Sequence, residues 1–148
     1  MSARQTIDEI LLKFAHQIGL PALHLTENEV SLAFDDNLRV HIIFHPESTT
    51  LQLEAEIVGL QIVNSDLYRS FLAFNYHWLS TSYFFSLDNH RHVLCLNRLI
   101  NIRRLDYEYF ETALAELLTH SESWEALLSS HVTIDEAPPM PQTLDLRV

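Results

Sequence analysis

The stretch VSLAFDDNLRVHIIFHPESTTLQLEAEI, residues 30–57, decides the fold. Apolar side chains fall on alternate positions: Val30, Leu32 and Phe34, then Leu38, Val40, Ile42 and Phe44, then Leu51, Leu53, Ala55 and Ile57. A period of two marks strands with one covered face, because successive side chains point to opposite sides of a sheet. Asp35-Asp36-Asn37 and His45-Pro46-Glu47-Ser48 interrupt the alternation with turn-forming residues. Three strands joined this way predict an antiparallel meander. Leu23 and Leu25 are a candidate short strand ahead of it.

On either side the period lengthens to that of a helix. Ile7, Ile10, Leu11, Phe14 and Ile18 lie on one helical face, with Thr6 and Glu9 spaced as a capping box and Gly19 then Pro21 as the stop. Beyond the meander, Asn64 or Ser65 caps a predicted second helix through Leu67, Phe71, Leu72, Phe74, Asn75 and Trp78. Two strands follow, Tyr83–Leu87 and His92–Leu99, around the turn Asp88-Asn89-His90-Arg91. Asp106 then caps a long helix with Phe110, Ala113, Leu114, Leu117, Leu118, Trp124 and Leu128 on one stripe and Glu108, Glu111, Glu116, Glu122 and Glu125 on the other face. A break in that helix is expected near Ser121. The order α-βββ-α-ββ-α predicts an α+β domain over residues 1–132. Residues 133–148, with Pro138, Pro139 and Pro141, read as a flexible tail.

Composition narrows the function classes. The chain has 148 residues, a net charge of −11 and a single lysine, Lys13, which argues against nucleic acid or an anionic membrane as partner. No apolar run approaches the ~20 residues that span a bilayer, and the opening residues lack a secretory leader's apolar core. Cys95 is the only cysteine, so no intrachain disulfide forms and a reducing cytoplasm is the expected compartment.

Catalytic and cofactor chemistry finds little footing in the residue pattern. Gly19 and Gly59 are the only glycines, too far apart for a phosphate-binding loop. His41 and His45 share a strand face, and His90 and His92 flank Arg91, but spacing identifies no third zinc ligand. Cys95 in Val93-Leu94-Cys95-Leu96 reads as a small buried hydrophobe, and Asp35-Asp36 as a turn rather than a catalytic carboxylate pair. Arg103-Arg104 reads as an exposed basic pair. No cofactor, metal or catalytic residue is expected; a small hydrolase or metal enzyme using the histidines is the contrasting reading. More telling is a surplus of apolar residues. Ile43 and Phe84 fall on the register opposite the buried set, and Tyr68, Phe71, Phe74, Tyr76 and Trp78 surround the second helix. So many aromatics on a domain of this size point to an interface.

The order of elements and several blocks resemble the class I type III secretion chaperones, the Tir-chaperone-like family. The blocks are Leu11-Leu12-Lys13-Phe14-Ala15 with Gly19-Leu20, Phe74-Asn75-Tyr76-His77-Trp78, the run Phe110–Trp124, and the closing Leu146-Arg147-Val148. Within the family, the blocks are most similar to the anti-anti-activator type that links secretion to transcription. The resemblance covers residues 8–130 and implies a non-catalytic cytoplasmic homodimer. Its implied dimer interface is Phe71, Phe74, Asn75, Trp78, Tyr83 and Phe85. Its implied groove for an extended segment of a secreted protein, or for a cytoplasmic anti-activator, is Phe14, Ile18, Leu25, Val30, Leu32 and Phe34. A dedicated chaperone for one secreted effector, with no regulatory duty, is the alternative. Periodicity does not tell a core stripe from a groove stripe.

Overall fold

A computed structural model describes residues 2–34, 38–59 and 63–130. The elements are α1 (Ala3–Ile18), β1 (Glu29–Phe34), β2 (Leu38–His45), β3 (Thr50–Gly59), α2 (Ser65–Asn75), a one-turn α3 (Trp78–Thr81), β4 (Tyr83–Asp88), β5 (Val93–Asn101) and α4 (Tyr107–Ser130). The strands form one sheet in the order β1-β2-β3-β5-β4, with every pairing antiparallel. This is the predicted α+β arrangement, with β1 and β4 at the edges.

Both flanking helices carry the predicted apolar stripes. In α1, Ile7, Ile10, Leu11 and Phe14 are buried; in α4, Phe110, Ala113, Leu114, Leu117, Trp124 and Leu128 are. Together with Val40, Ile42, Leu51, Leu53, Ala55, Leu94 and Leu96 from the sheet they form a single core. Phe14 meets Phe110 edge to face at 5.5 Å, joining α1 to α4.

Four local readings change. The capping box is Ser2 with Gln5 rather than Thr6 with Glu9, so α1 starts a turn earlier. Residues 23–25 form no strand; only Thr26 bridges back to Glu29. The second helix ends at Asn75, and α3 then runs Trp78–Thr81 as a separate turn stopped by Ser82 at φ 69°. By contrast, α4 is unbroken through Ser121, because Ser121 and Trp124 are both buried on its inner face and packing holds the segment helical. The Gly19 cap (φ 74°) and the caps at Asn64 and Asp106 form where the sequence puts them. The turn at 35–37 and the tail from 133 lie outside the described residues.

Candidate functional site

Three surfaces have chemistry or shape beyond ordinary packing. The first comprises the β1 edge and the outside of α1, which Arg4 ties to the segment ahead of β1. Asn28 C=O accepts from Phe44 N–H at 2.8 Å, which fixes the alternation of the β1–β2 ladder. Val30, Leu32 and Phe34 therefore bond inward to β2, while Glu29, Ser31 and Ala33 direct their backbone groups away from the sheet. Glu29 is satisfied by Thr26, at 3.1 and 2.9 Å. Ser31 and Ala33 are left facing outward, on an edge that no strand covers among the described residues. Nearby, the chain returns along α1, held by Arg4, which bonds Leu25 C=O at 3.0 Å and Asn28 Oδ1 at 3.2 Å. Between that return and the helix lies an open groove of about 440 Å³ lined by Leu12, Lys13, His16 and Leu20. Leu12, Ile18 and Leu20 are exposed apolar side chains.

Of the six residues placed in a groove from the sequence, Ile18 is the exposed one. Phe14, Leu25 and Leu32 are buried in the protein's own core, and Val30 and Phe34 are half-buried against it. Leu12 and Leu20 line this groove from off the main stripe, where in the sequence they look like incidental surface residues.

The second surface is built by α2, α3 and β4. Phe71 and Phe74 pack on Phe85 at 4.5 and 5.2 Å, and all three rings surround Trp124. Consequently Phe71, Tyr83 and Phe85 face inward within the protomer, each under 5% exposed. Asn75 is tied to the Phe85 backbone and Phe74 is half-buried, while Trp78 is exposed. The outward apolar residues are Leu72 at 71%, Tyr76 at 85% and Leu79 at 80% exposure. A groove of about 260 Å³ runs beside them between α2 and the outer edge of β4, lined by Tyr68, Leu72, Asn75 and Leu87.

The third surface is the polar side of the sheet. Here the β4–β5 turn folds Arg91 back over the strands. Its guanidinium reaches Asp88 at 2.5 Å, Glu56 at 2.5 Å and Glu54 at 2.7 Å, and also contacts His41. His41 lies between Ser31 Oγ on Nδ1 and Glu56 Oε2 on Nε2, each at 2.6 Å. Asp88 is held down to about 2 by backbone and side-chain bonds from Arg91. For Glu56, burial pushes the pKa up, but hydrogen bonds from His41 and Arg91 outweigh it and the net shift is downward. Cys95, on the same face, is fully buried, and burial raises its thiol to about 12.

Ser31, His41 and Glu56 have the connectivity of a nucleophile, base and acid, which the sequence reading did not find. However, Ser31 and His41 are direct cross-strand partners, so their contact follows from register alone. Arg91 also spends the acid's charge on an ion pair. This is a satisfied polar cluster that welds four strands and a hairpin. His45 is likewise engaged, by Gln52 at 2.7 Å. Among the described residues, no three His, Cys, Asp or Glu side chains converge to hold a metal.

The chain belongs to the Tir chaperone protein (CesT) family, whose pattern matches residues 9–125. It is 34% identical over 129 residues to the transcriptional anti-antiactivator ExsC of Pseudomonas aeruginosa, spanning 86% of this chain and 89% of that protein. Its structure is similar to a chain of the ExsC-ExsE complex, with a TM-score of 0.82 and 35% identity over 86% of this chain and 97% of that one. The Yersinia pestis secretion chaperone SycH, in complex with a fragment of YscM2, shares the fold at a TM-score of 0.62 and 22% identity, over 80% of this chain and 98% of that one. No helix among the described residues is long and apolar enough to cross a membrane.

Proposed function

We propose that this protein is a secretion chaperone-like regulator, an anti-anti-activator that works by exchanging two protein partners. In this reading it holds a small secreted protein while that protein remains inside the cell. Export of the secreted partner frees the site, which then sequesters an anti-activator and releases transcription of the secretion genes. The observation that carries the reading is the kinship with ExsC along most of both chains; an open sheet edge and exposed apolar residues on the same protein support it.

The bound segment adds a strand along Ser31 and Ala33 and seats apolar side chains against Leu12, Ile18 and Leu20. Backbone bonds supply affinity without regard to sequence, and the apolar contacts supply selectivity. Two copies associate through Leu72, Tyr76, Trp78 and Leu79, the exposed apolar set of α2 and α3. The protein has no catalytic step and acts in the cytoplasm. Its acidic α4 face, with Glu108, Glu111, Glu116 and Glu122 exposed, repels nucleic acid and leaves regulation to protein contacts.

The test is titration with ExsE, followed by equilibrium competition with an anti-activator. The expected result is mutually exclusive binding. A difference of ~1.4 kcal/mol between the ligands biases occupancy tenfold at equal concentration. Simultaneous binding at undiminished affinity refutes exchange and leaves a dedicated effector chaperone as the better account.

A further inference from the structure

The two edges of the sheet are treated differently. β4 is an edge strand with β5 on one side and, among the described residues, no strand on the other. Its outward backbone groups belong to Tyr83, Phe85 and Leu87, alternating with residues that bond to β5. At Phe85, the Asn75 side chain takes the place of a neighbouring strand. Phe85 N–H donates to Asn75 Oδ1 at 2.7 Å, and Asn75 Nδ2 donates to Phe85 C=O at 2.9 Å. A carboxamide has the donor and acceptor of a peptide unit, so one side chain satisfies both groups. At Tyr83, the Thr81 hydroxyl accepts from the N–H at 3.1 Å and donates to the C=O at 3.0 Å. Thr81 is 2% exposed and Phe85 4%, so water does not replace these bonds cheaply. Only the fringe residue Leu87 remains, and one residue does not sustain a ladder.

We propose that Asn75 and Thr81 close the β4 edge to strand addition, making β1 the edge that accepts a partner strand and limiting each protomer to one such strand. The inference rests on the strand-addition reading above. Exposed edges are templates for non-specific pairing, and native proteins blunt or cover the ones they do not use. Asn75 is held for this task by α2, whose Phe71 and Phe74 pack on Phe85 from the same side. It is a positioning residue for binding.

The experiment compares wild type with Asn75→Ala, Asn75→Asp and the double variant Asn75→Ala/Thr81→Val. Amide hydrogen exchange is read at Phe85, with Leu53 and Leu96 as reporters of an intact core. Exchange at Phe85 should rise about tenfold or more in Asn75→Ala but stay near wild type in Asn75→Asp, which keeps the acceptor. In sedimentation velocity the double variant should associate beyond the wild-type assembly, increasingly with concentration. In titration it should bind more ExsE per protomer than wild type. Unchanged Phe85 exchange in Asn75→Ala overturns the proposal. So does a double variant that exposes the edge, keeps its core protection, and shows neither new association nor added ExsE. Failure of ExsE to bind wild type refutes the functional reading instead, and the exchange and sedimentation arms still decide the edge closure.

Discussion

Trp124 provides the sharpest test of how α4 is held. It is 1% exposed, with the Phe85, Phe71 and Phe74 rings at 4.9, 6.1 and 6.2 Å. Trp124→Ala empties that nest, and such truncations cost about 3–5 kcal/mol in transfer and cavity terms. Three edge-on ring contacts favour the upper end. One feature works the other way: the indole Nε1 is buried with no hydrogen-bond partner among the described residues. An unsatisfied buried donor costs about 1–3 kcal/mol, so deleting it returns part of the loss. A net destabilisation of roughly 3 kcal/mol is expected for Trp124→Ala. That is a large share of the ~5–15 kcal/mol typical of a domain, and about 6–12 °C in Tm. Trp124→Phe keeps a ring and drops the stranded N–H, so the two effects nearly cancel and the change stays within about 1 kcal/mol. Urea unfolding followed by far-ultraviolet circular dichroism reads both, independently of Trp78. If Trp124→Ala costs under about 1 kcal/mol, the second half of α4 is not docked. If Trp124→Phe costs as much as Trp124→Ala, the indole N–H makes a bond and the reasoning fails.

Arg91→Ala should destabilise most at neutral pH. Asp88 and Glu56 have lowered folded-state values, so their contribution is present above the ordinary values of 3.8 and 4.5 and disappears as pH falls through the folded ones. Urea curves for wild type and variant should therefore converge towards pH 2.5, and parallel stability profiles would contradict the Arg91 clamp. Cys95, with its thiol raised from 9.0 to about 12, should react with a thiol reagent at pH 8 roughly a thousandfold slower in the native protein than in urea, and equal rates would show that the polar face opens freely. Leu12→Asp and Ile18→Asp should leave stability within about 0.5 kcal/mol, being exposed, yet lower ExsE affinity about tenfold or more by calorimetry. Unaltered affinity in both would move the binding surface away from α1.

Local pattern in the sequence set the five strands, the three long helices and their order, though not the one-turn α3. Alternation at Val30–Ile57 produced β1 to β3, because a one-sided sheet imposes a period of two, and stripes with caps at Gly19, Asn64 and Asp106 bounded the helices. The family was legible too, through packing residues in a characteristic order. Local patterns also misled: Thr6-x-x-Glu9 lost to Ser2-x-x-Gln5, and the polar run near Ser121 looked like a break until Trp124 was seen anchored among aromatic rings. The tertiary structure alone decided what faces each stripe. Phe14 and Ile18 share a helical period, but only Phe14 has Phe110 opposite it, so one is core and the other surface. Phe71 and Leu72 are adjacent, and the placement of β4 and α4 decides that one is buried and the other free. Arg91 meets Glu54 and Glu56 from 37 and 35 residues away, and Asn75 completes an edge of β4 from across a turn. Periodicity records which residues point the same way. What they meet depends on how separate segments of chain pack, and that appears only once the sheet is assembled.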